Sequence, residues 1–172
     1  MNKRFLVITS IADDKHPILN KIAKDSKEYK TPFIVIGDEK SPKTFEIDNC
    51  DFYSVDRQKQ LDFKLVKDLP YKHYARKNLG YLVAMSQGAE VIMETDDDNI
   101  PMEEFWGEYD ENVKGSIIKD KGWVNVYKYF LKENIWPRGF SLENIKDEVP
   151  DLKKKEEFYC PIQQGLADDN PD

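Results

Sequence analysis

The chain is poor in cysteine and histidine: its 172 residues include only Cys50, Cys160, His16 and His73. Two thiols so far apart make no disulfide framework, and with the two imidazoles they match no familiar zinc spacing. Such sparse thiols suit a reduced, cytoplasmic protein. Excess positive charge is also missing, since 26 Lys and Arg face 33 Asp and Glu for a formal net charge of -7 and a pI near 5.0. That balance argues against a broad nucleic-acid or anionic-membrane surface, although a local basic pocket remains open. Long apolar runs are lacking as well. The first one, "RFLVITSI", is broken by Thr9 and Ser10 and soon followed by aspartates, so it reads as a strand rather than a signal peptide. No segment approaches the roughly 20 apolar residues of a membrane-spanning helix.

What the chain does have is a foldable composition. Hydrophobic residues make up 40% and aromatics 12%, enough for a buried core in one globular unit over residues 1–172. "RFLVITSI" and "TPFIVIGD" are short β-branched runs of the kind buried on both faces of a parallel sheet. Between them, Asp13 or Asp14 offers a helix cap, and Ile18, Leu19, Ile22 and Ala23 share a helical face. One βαβ unit results, with a right-handed crossover. "DFYSVD" predicts a third strand, and Leu61, Leu65, Val66 and Leu69 predict a helix that Pro70 stops. A further helix is expected with Ala75, Leu79, Leu82, Val83 and Ser86 along one stripe and Gly88 as its C-terminal cap. It leads into the strand "EVIMETDDDN". The second half is less regular: "GSIIKDKGWVNVYKYFL" predicts one or two strands, "IWPRGFSLENI" a Pro-Arg-Gly turn between aromatics, and "KDEVPDLKKKEE" a charged surface segment.

Chemistry-bearing residues lie just past the strand ends, where open α/β sheets bind ligands. Three adjacent carboxylates, Asp96 to Asp98, close the last strand. Two unit charges about 4 Å apart repel by roughly 4 kcal/mol at an effective dielectric near 20, so the run needs water, a cation or a cationic side chain. Mg²⁺ or Mn²⁺ takes one or two carboxylates together with phosphate oxygens and water. In an Asp-x-Asp arrangement the outer side chains share a direction, which makes Asp96 and Asp98 the leading metal ligands and Asp97 the next candidate. Arg76, Lys77 and Asn78 open a helix, where cations oppose the macrodipole unless an anion joins them. Arg76 or Lys77 is therefore expected to face a diphosphate. Asp38 could form a turn or accept a nucleobase N–H, and Thr9 and Ser10 could lie against base and ribose. Arg138 stands between Trp136 and Phe140, where cation–π packing is the plain alternative.

The segments "FIVIGDEKSP", "PYKHYARKNLGYLVAMSQGAEVIMETDDDNIP", "IWPRGFSLE" and "QQGLADDNPD", in this order, resemble the STELLO-type glycosyltransferase-like family and, more distantly, the reversibly glycosylated polypeptides or UDP-arabinopyranose mutases. The resemblance implies a GT-A-like (Rossmann-like) α/β fold, a mostly parallel central sheet flanked by helices. It also implies a nucleotide-diphospho-sugar donor, most naturally UDP-linked, bound through Mn²⁺ or Mg²⁺. On that likeness Asp96 and Asp98 match the metal and ribose motif, Asp38 the base-binding acid, Thr9 the base-contacting loop, and Arg138 the arginine linked to reversible glycosylation in the mutase branch. The family continues beyond "GLADDNPD" into an acceptor-side region, so transfer to a glycan or polypeptide acceptor is expected to need more chain or a partner subunit. A sugar-nucleotide mutase is the rival enzyme, and a non-catalytic sugar-nucleotide-binding module the rival of another class.

Overall fold

A computed structural model describes residues 3–119, 121–153 and 155–165. They divide into two compact units, Met1–Gly107 and Glu108–Asp172.

The first unit is a four-stranded parallel sheet with helices on both faces. The apolar runs form β1 (Arg4–Thr9), β2 (Phe33–Ile36), β3 (Cys50–Tyr53) and β4 (Val91–Glu94), in the spatial order β3-β2-β1-β4. All three pairings are parallel, with Leu6 opposite Phe33, Val7 opposite Glu94 and Ile36 opposite Tyr53. Because β1 and β2 are covered on both sides, every residue from Phe5 to Ile8 and from Phe33 to Ile36 is buried. Alternate side chains then serve opposite faces. Leu6, Ile8, Phe33 and Val35 pack against Leu19, Ile22 and Ala23 of α1 (Pro17–Glu28). Phe5, Val7, Ile34 and Ile36 pack against Leu79, Val83 and Ala84 of α3 (Lys77–Ser86). This is the α/β fold the sequence predicts, in a Rossmann-like arrangement consistent with GT-A. The chain winds from β1 to β2 and β3 on one side, then returns to place β4 on the other side of β1, so strand order reverses beside β1.

Local chemistry explains the element ends. α1 starts at Pro17, with His16 and not Asp13 or Asp14 at the N-cap position. Asp13 instead accepts the Lys15 backbone N–H at 2.9 Å, a local turn that takes it out of the helix. α3 ends at Ser86 and is closed, as expected, by Gly88, whose φ is 83°, with Ala89 N–H to Ala84 C=O at 3.0 Å and Gly88 N–H to Met85 C=O at 2.9 Å. Its buried stripe is Leu79, Gly80, Val83 and Ala84, while the expected Ser86 is exposed. Gly80 allows the close approach to the sheet: a Cβ there would collide with Val7 Cγ1 and sit 3.0 Å from Ile36 Cγ1.

Two sequence expectations are corrected. No continuous helix covers 58–69. The chain forms the short α2 (Val55–Gln58), N-capped by Ser54, and a 3₁₀ turn at Lys64–Lys67. Leu61, Val66 and Leu69 still pack on the α3 side of the core, so their apolar spacing reflects burial rather than helix. The strand expected in the run 115–131 lies upstream. β5 (Asn112–Gly115) pairs antiparallel with β6 (Glu156–Tyr159), and Val126–Tyr129 is a 3₁₀ turn.

In the second unit the predicted Pro-Arg-Gly turn is present, with Gly139 at φ 79° and Phe140 N–H bonded to Pro137 C=O at 3.0 Å. Trp123 meets Phe140 edge-on at 5.2 Å. Of the ending "QQGLADDNPD", residues 166–172 lie outside the described residues.

Candidate functional site

A cleft of about 370 Å³ opens across the carboxyl ends of β1 and β2, closed by the loop before α3 and by Asp97 after β4. Thr9 and Ser10 supply the β1 edge, Gly37 and Asp38 the β2 edge, and Lys72 to Tyr74 with Arg76 the far wall.

The first two edges are bound to each other. Ser10 donates its backbone N–H to Ile36 C=O at 3.1 Å, and its hydroxyl accepts the Ala12 N–H at 3.0 Å while donating to the Asp97 carboxylate. Ser41 bridges the same ends, its hydroxyl donating to Ser10 C=O at 3.0 Å and accepting the Asp38 N–H at 2.8 Å. Gly37 has no room for a side chain, because a Cβ would lie 2.8 Å from Phe52 Cζ and 2.9 Å from Ser41 Oγ. Asp38 accepts the N–H groups of Glu39 at 2.7 Å and His73 at 3.3 Å, which ties β2 to the loop before α3.

The far wall contains a buried cation. Arg76 is 1% exposed. Its Nε donates to Gln58 Oε1 at 2.9 Å, its Nη2 donates to the same oxygen, and its Nη1 reaches Leu69 C=O at 3.3 Å. The guanidinium also lies 4.4 Å from the Tyr71 ring centroid. Among the described residues no carboxylate forms an ion pair with it. A guanidinium removed from water and met only by neutral groups keeps its full charge, and an anion in the cleft would gain from it.

The acidic run is built differently from the expectation. Lys77, buried at the start of α3, places its ammonium between Glu94 Oε1 at 3.0 Å and Asp96 Oδ1 at 2.9 Å. Tyr81 donates its hydroxyl to the other Glu94 oxygen. Burial pulls the Lys77 ammonium down, but the hydrogen bonds and charges of Asp96 and Glu94 together outweigh it and leave the pKa above its ordinary value. Burial, then the same two carboxylates, push the Tyr81 hydroxyl up as well. An internal ammonium thus relieves the repulsion that the sequence poses.

Each predicted site residue has a definite place. Thr9, Ser10, Asp38, Arg76 and Asp97 come together around the cleft. Lys77 turns to Asp96, and Asn78 bonds Ala75 C=O at 2.8 Å to brace the helix start. Asp96 and Asp98 do not share a direction toward the cleft: Asp96 is held by Lys77, Asp98 is exposed, and Asp97 is the member that faces inward. Arg138 belongs to the second unit, exposed at the turn, whereas the cleft is built from the first. Sequence reading missed Gln58, Ser41 and His73. A polar residue inside a charged stretch carries no periodic signal, although Gly37 after a strand marks a tight approach.

The described residues contain no cluster of three or more His, Cys, Asp or Glu set to hold a metal ion. A cation that enters with a diphosphate needs only one or two protein carboxylates, and Asp97 in the cleft meets that minimum. The donor set fits a ligand-borne cation rather than a protein-caged one.

A reversed strand order, a cleft at the carboxyl ends of the strands and a buried cation on its wall define a Rossmann-like α/β domain. No protein-family model matches the chain. It is 30% identical over 159 residues to the Arabidopsis thaliana proteins described as "Probable glycosyltransferase STELLO2" and "Probable glycosyltransferase STELLO1". The match covers 81% of this chain and 20% of each relative, so the chain spans about one fifth of their length. Over that shared segment the likeness supports a STELLO-type glycosyltransferase-like family, in line with the motifs.

Proposed function

We propose that the first unit binds a nucleotide-diphospho-sugar, a UDP-sugar in the simplest case, and that the protein works in glycosyl transfer. The observation that carries the reading is Arg76: a buried guanidinium with neutral partners, lining a cleft at the carboxyl ends of parallel strands. Thr9, Ser10 and Asp38 take the base and ribose side, and Arg76 with Lys40 takes the diphosphate, while Lys72 on the same wall is paired with Glu39 at 3.2 Å. A Mn²⁺ or Mg²⁺ ion carried by the diphosphate would rest on Asp97, where it offsets charge on the leaving group. Lys77 acts on the acidic loop rather than on the ligand, since its ammonium is already paired.

A second reading is a donor-binding module that leaves chemistry to a partner. It is favoured by the cleft lining, where Asp38 is tied by two backbone N–H groups and Asp97 by the Ser10 hydroxyl, so that both carboxylates hold loops in place.

Calorimetry with UDP and with uridine, in Mn²⁺ and in chelator, tests the binding step. UDP should bind more tightly than uridine and lose affinity in chelator, and a ligand at 100 times its dissociation constant should stabilise the fold by about 2.7 kcal/mol. Equal, weak binding of the two would end the nucleotide-sugar reading. Release of free sugar or transfer from UDP-sugars onto glycan and polypeptide acceptors then separates the enzyme from the module.

A further inference from the structure

Gln58 is wholly buried, and its orientation is forced by its partners. One side of its amide faces two carbonyl oxygens, Gly37 O at 2.7 Å and Tyr53 O at 2.6 Å. Carbonyl oxygens only accept, so the NH₂ must be on that side and the amide oxygen on the other. There the oxygen accepts from both Nε and Nη2 of Arg76. A single neutral side chain therefore joins the ends of β2 and β3 to the guanidinium.

The choice of an amide has an electrostatic consequence. A carboxylate of the same shape would hold Arg76 as well, but its second oxygen would meet the two carbonyl oxygens, and its charge would cancel that of the guanidinium. With Gln58, Leu69 C=O and the Tyr71 ring as its contacts, Arg76 is fixed without being neutralised.

We propose that Gln58 is a positioning residue that holds Arg76 rigid and uncompensated for the anionic part of the ligand, the diphosphate. This rests on the nucleotide-binding reading above and assigns its electrostatics to one residue outside the cleft lining.

The test uses the full chain and three probes: inorganic pyrophosphate, UDP and uridine, each titrated calorimetrically. For Gln58→Glu the affinity for pyrophosphate and UDP should fall at least tenfold, with uridine within about twofold of the unaltered chain. A purely structural role would weaken all three together, and wild-type pyrophosphate affinity in a folded Gln58→Glu chain would overturn the proposal. Where that variant does not fold, the unaltered chain decides: the Arg76 Nε–H resonance should move when pyrophosphate is added, and an unmoved resonance under saturating pyrophosphate defeats the inference. Pyrophosphate binding with no preference for UDP would leave this anion site standing while the nucleotide-sugar reading falls. UDP binding that leaves the Arg76 signal still would do the reverse, and no response to either ligand would sink both.

Discussion

The units Met1–Gly107 and Glu108–Asp172 draw on similar residues and use them in opposite ways. In the first, β-branched runs are stacked between helices, and apart from Tyr127 every buried apolar side chain among the described residues lies there. The second carries a two-stranded ribbon, 3₁₀ turns and a set of aromatics left open, with Phe130 at 72% and Trp136 at 51% exposure. Its order comes from polar contacts instead. Asn125 donates to Ile135 C=O at 2.7 Å, Tyr129 to Pro150 C=O at 2.6 Å and Lys128 to Asp147 C=O at 2.7 Å. A lone hairpin-like ribbon is marginal in water, and hydrogen bonds each contribute only about 1 kcal/mol net. Stability should therefore be concentrated in the first unit, and the cleft is built on its sheet.

The most direct way to break this contrast is a pair of truncations. Leu6→Ala in β1 should cost about 2–5 kcal/mol, because a fully buried side chain leaves a cavity between α1 and the sheet. Trp136→Ala should cost less than about 1 kcal/mol, since half of that side chain is already in water. Chemical denaturation followed by circular dichroism measures both. Equal losses would mean that the second unit contributes a core of its own.

Cys50 adds a test of the first unit at high pH. Cys50 in β3 packs beside the α1 cluster, and burial, helped by Asp51, pushes its thiol up from 9.0 to about 12. A group whose folded pKa is raised keeps its full contribution below the unfolded value and loses it as pH climbs. Stability should thus decline between pH 9 and about 12 as the unfolded chain ionises first. Cys50→Ala should flatten that part of the curve. Tyr53 and Tyr81 are also raised, chiefly by burial, and act in the same alkaline direction, so the comparison of variant with parent isolates the thiol. An unchanged slope in Cys50→Ala would show that β3 leaves its thiol wet.

The smallest effect expected is a gain. α1 closes with Thr31 N–H bonded to Ser26 C=O at 2.8 Å and Lys30 N–H to Lys27 C=O at 3.3 Å, with Lys30 at φ 54°. That is the cap α3 makes with Gly88, but here a side chain occupies the left-handed position. Lys30→Gly should raise stability by about 0.5–1 kcal/mol, read as a higher melting temperature. A loss would indicate that the Lys30 side chain contributes more than its backbone costs.

Legibility followed physical range. β1, β2, α1 and α3 were plain in the sequence because burial on two faces leaves unbroken β-branched runs, and burial on one face leaves a 3.6-residue period. The 58–69 segment misled for the same reason. Its apolar residues face the core, yet the backbone reaches it by turns, and periodicity reports facing rather than hydrogen bonding. The site divided in the same manner. Thr9, Ser10, Asp38 and Arg76 were legible because position after a strand or before a helix is a one-dimensional property. That Lys77 would reach across to Asp96 and Glu94, 19 and 17 residues away, was not.

By itself, then, the sequence determined the alternation of strand and helix, the parallel sheet and the end of it at which polar residues gather, since each follows from local pattern and chain connectivity. Only the tertiary structure decided which member of the aspartate run faces the cleft, that the Lys77 ammonium meets Asp96, and that Gln58 holds Arg76 without neutralising it. Charge pairing depends on a few ångströms between residues far apart in the chain, and no spacing along the sequence encodes that distance.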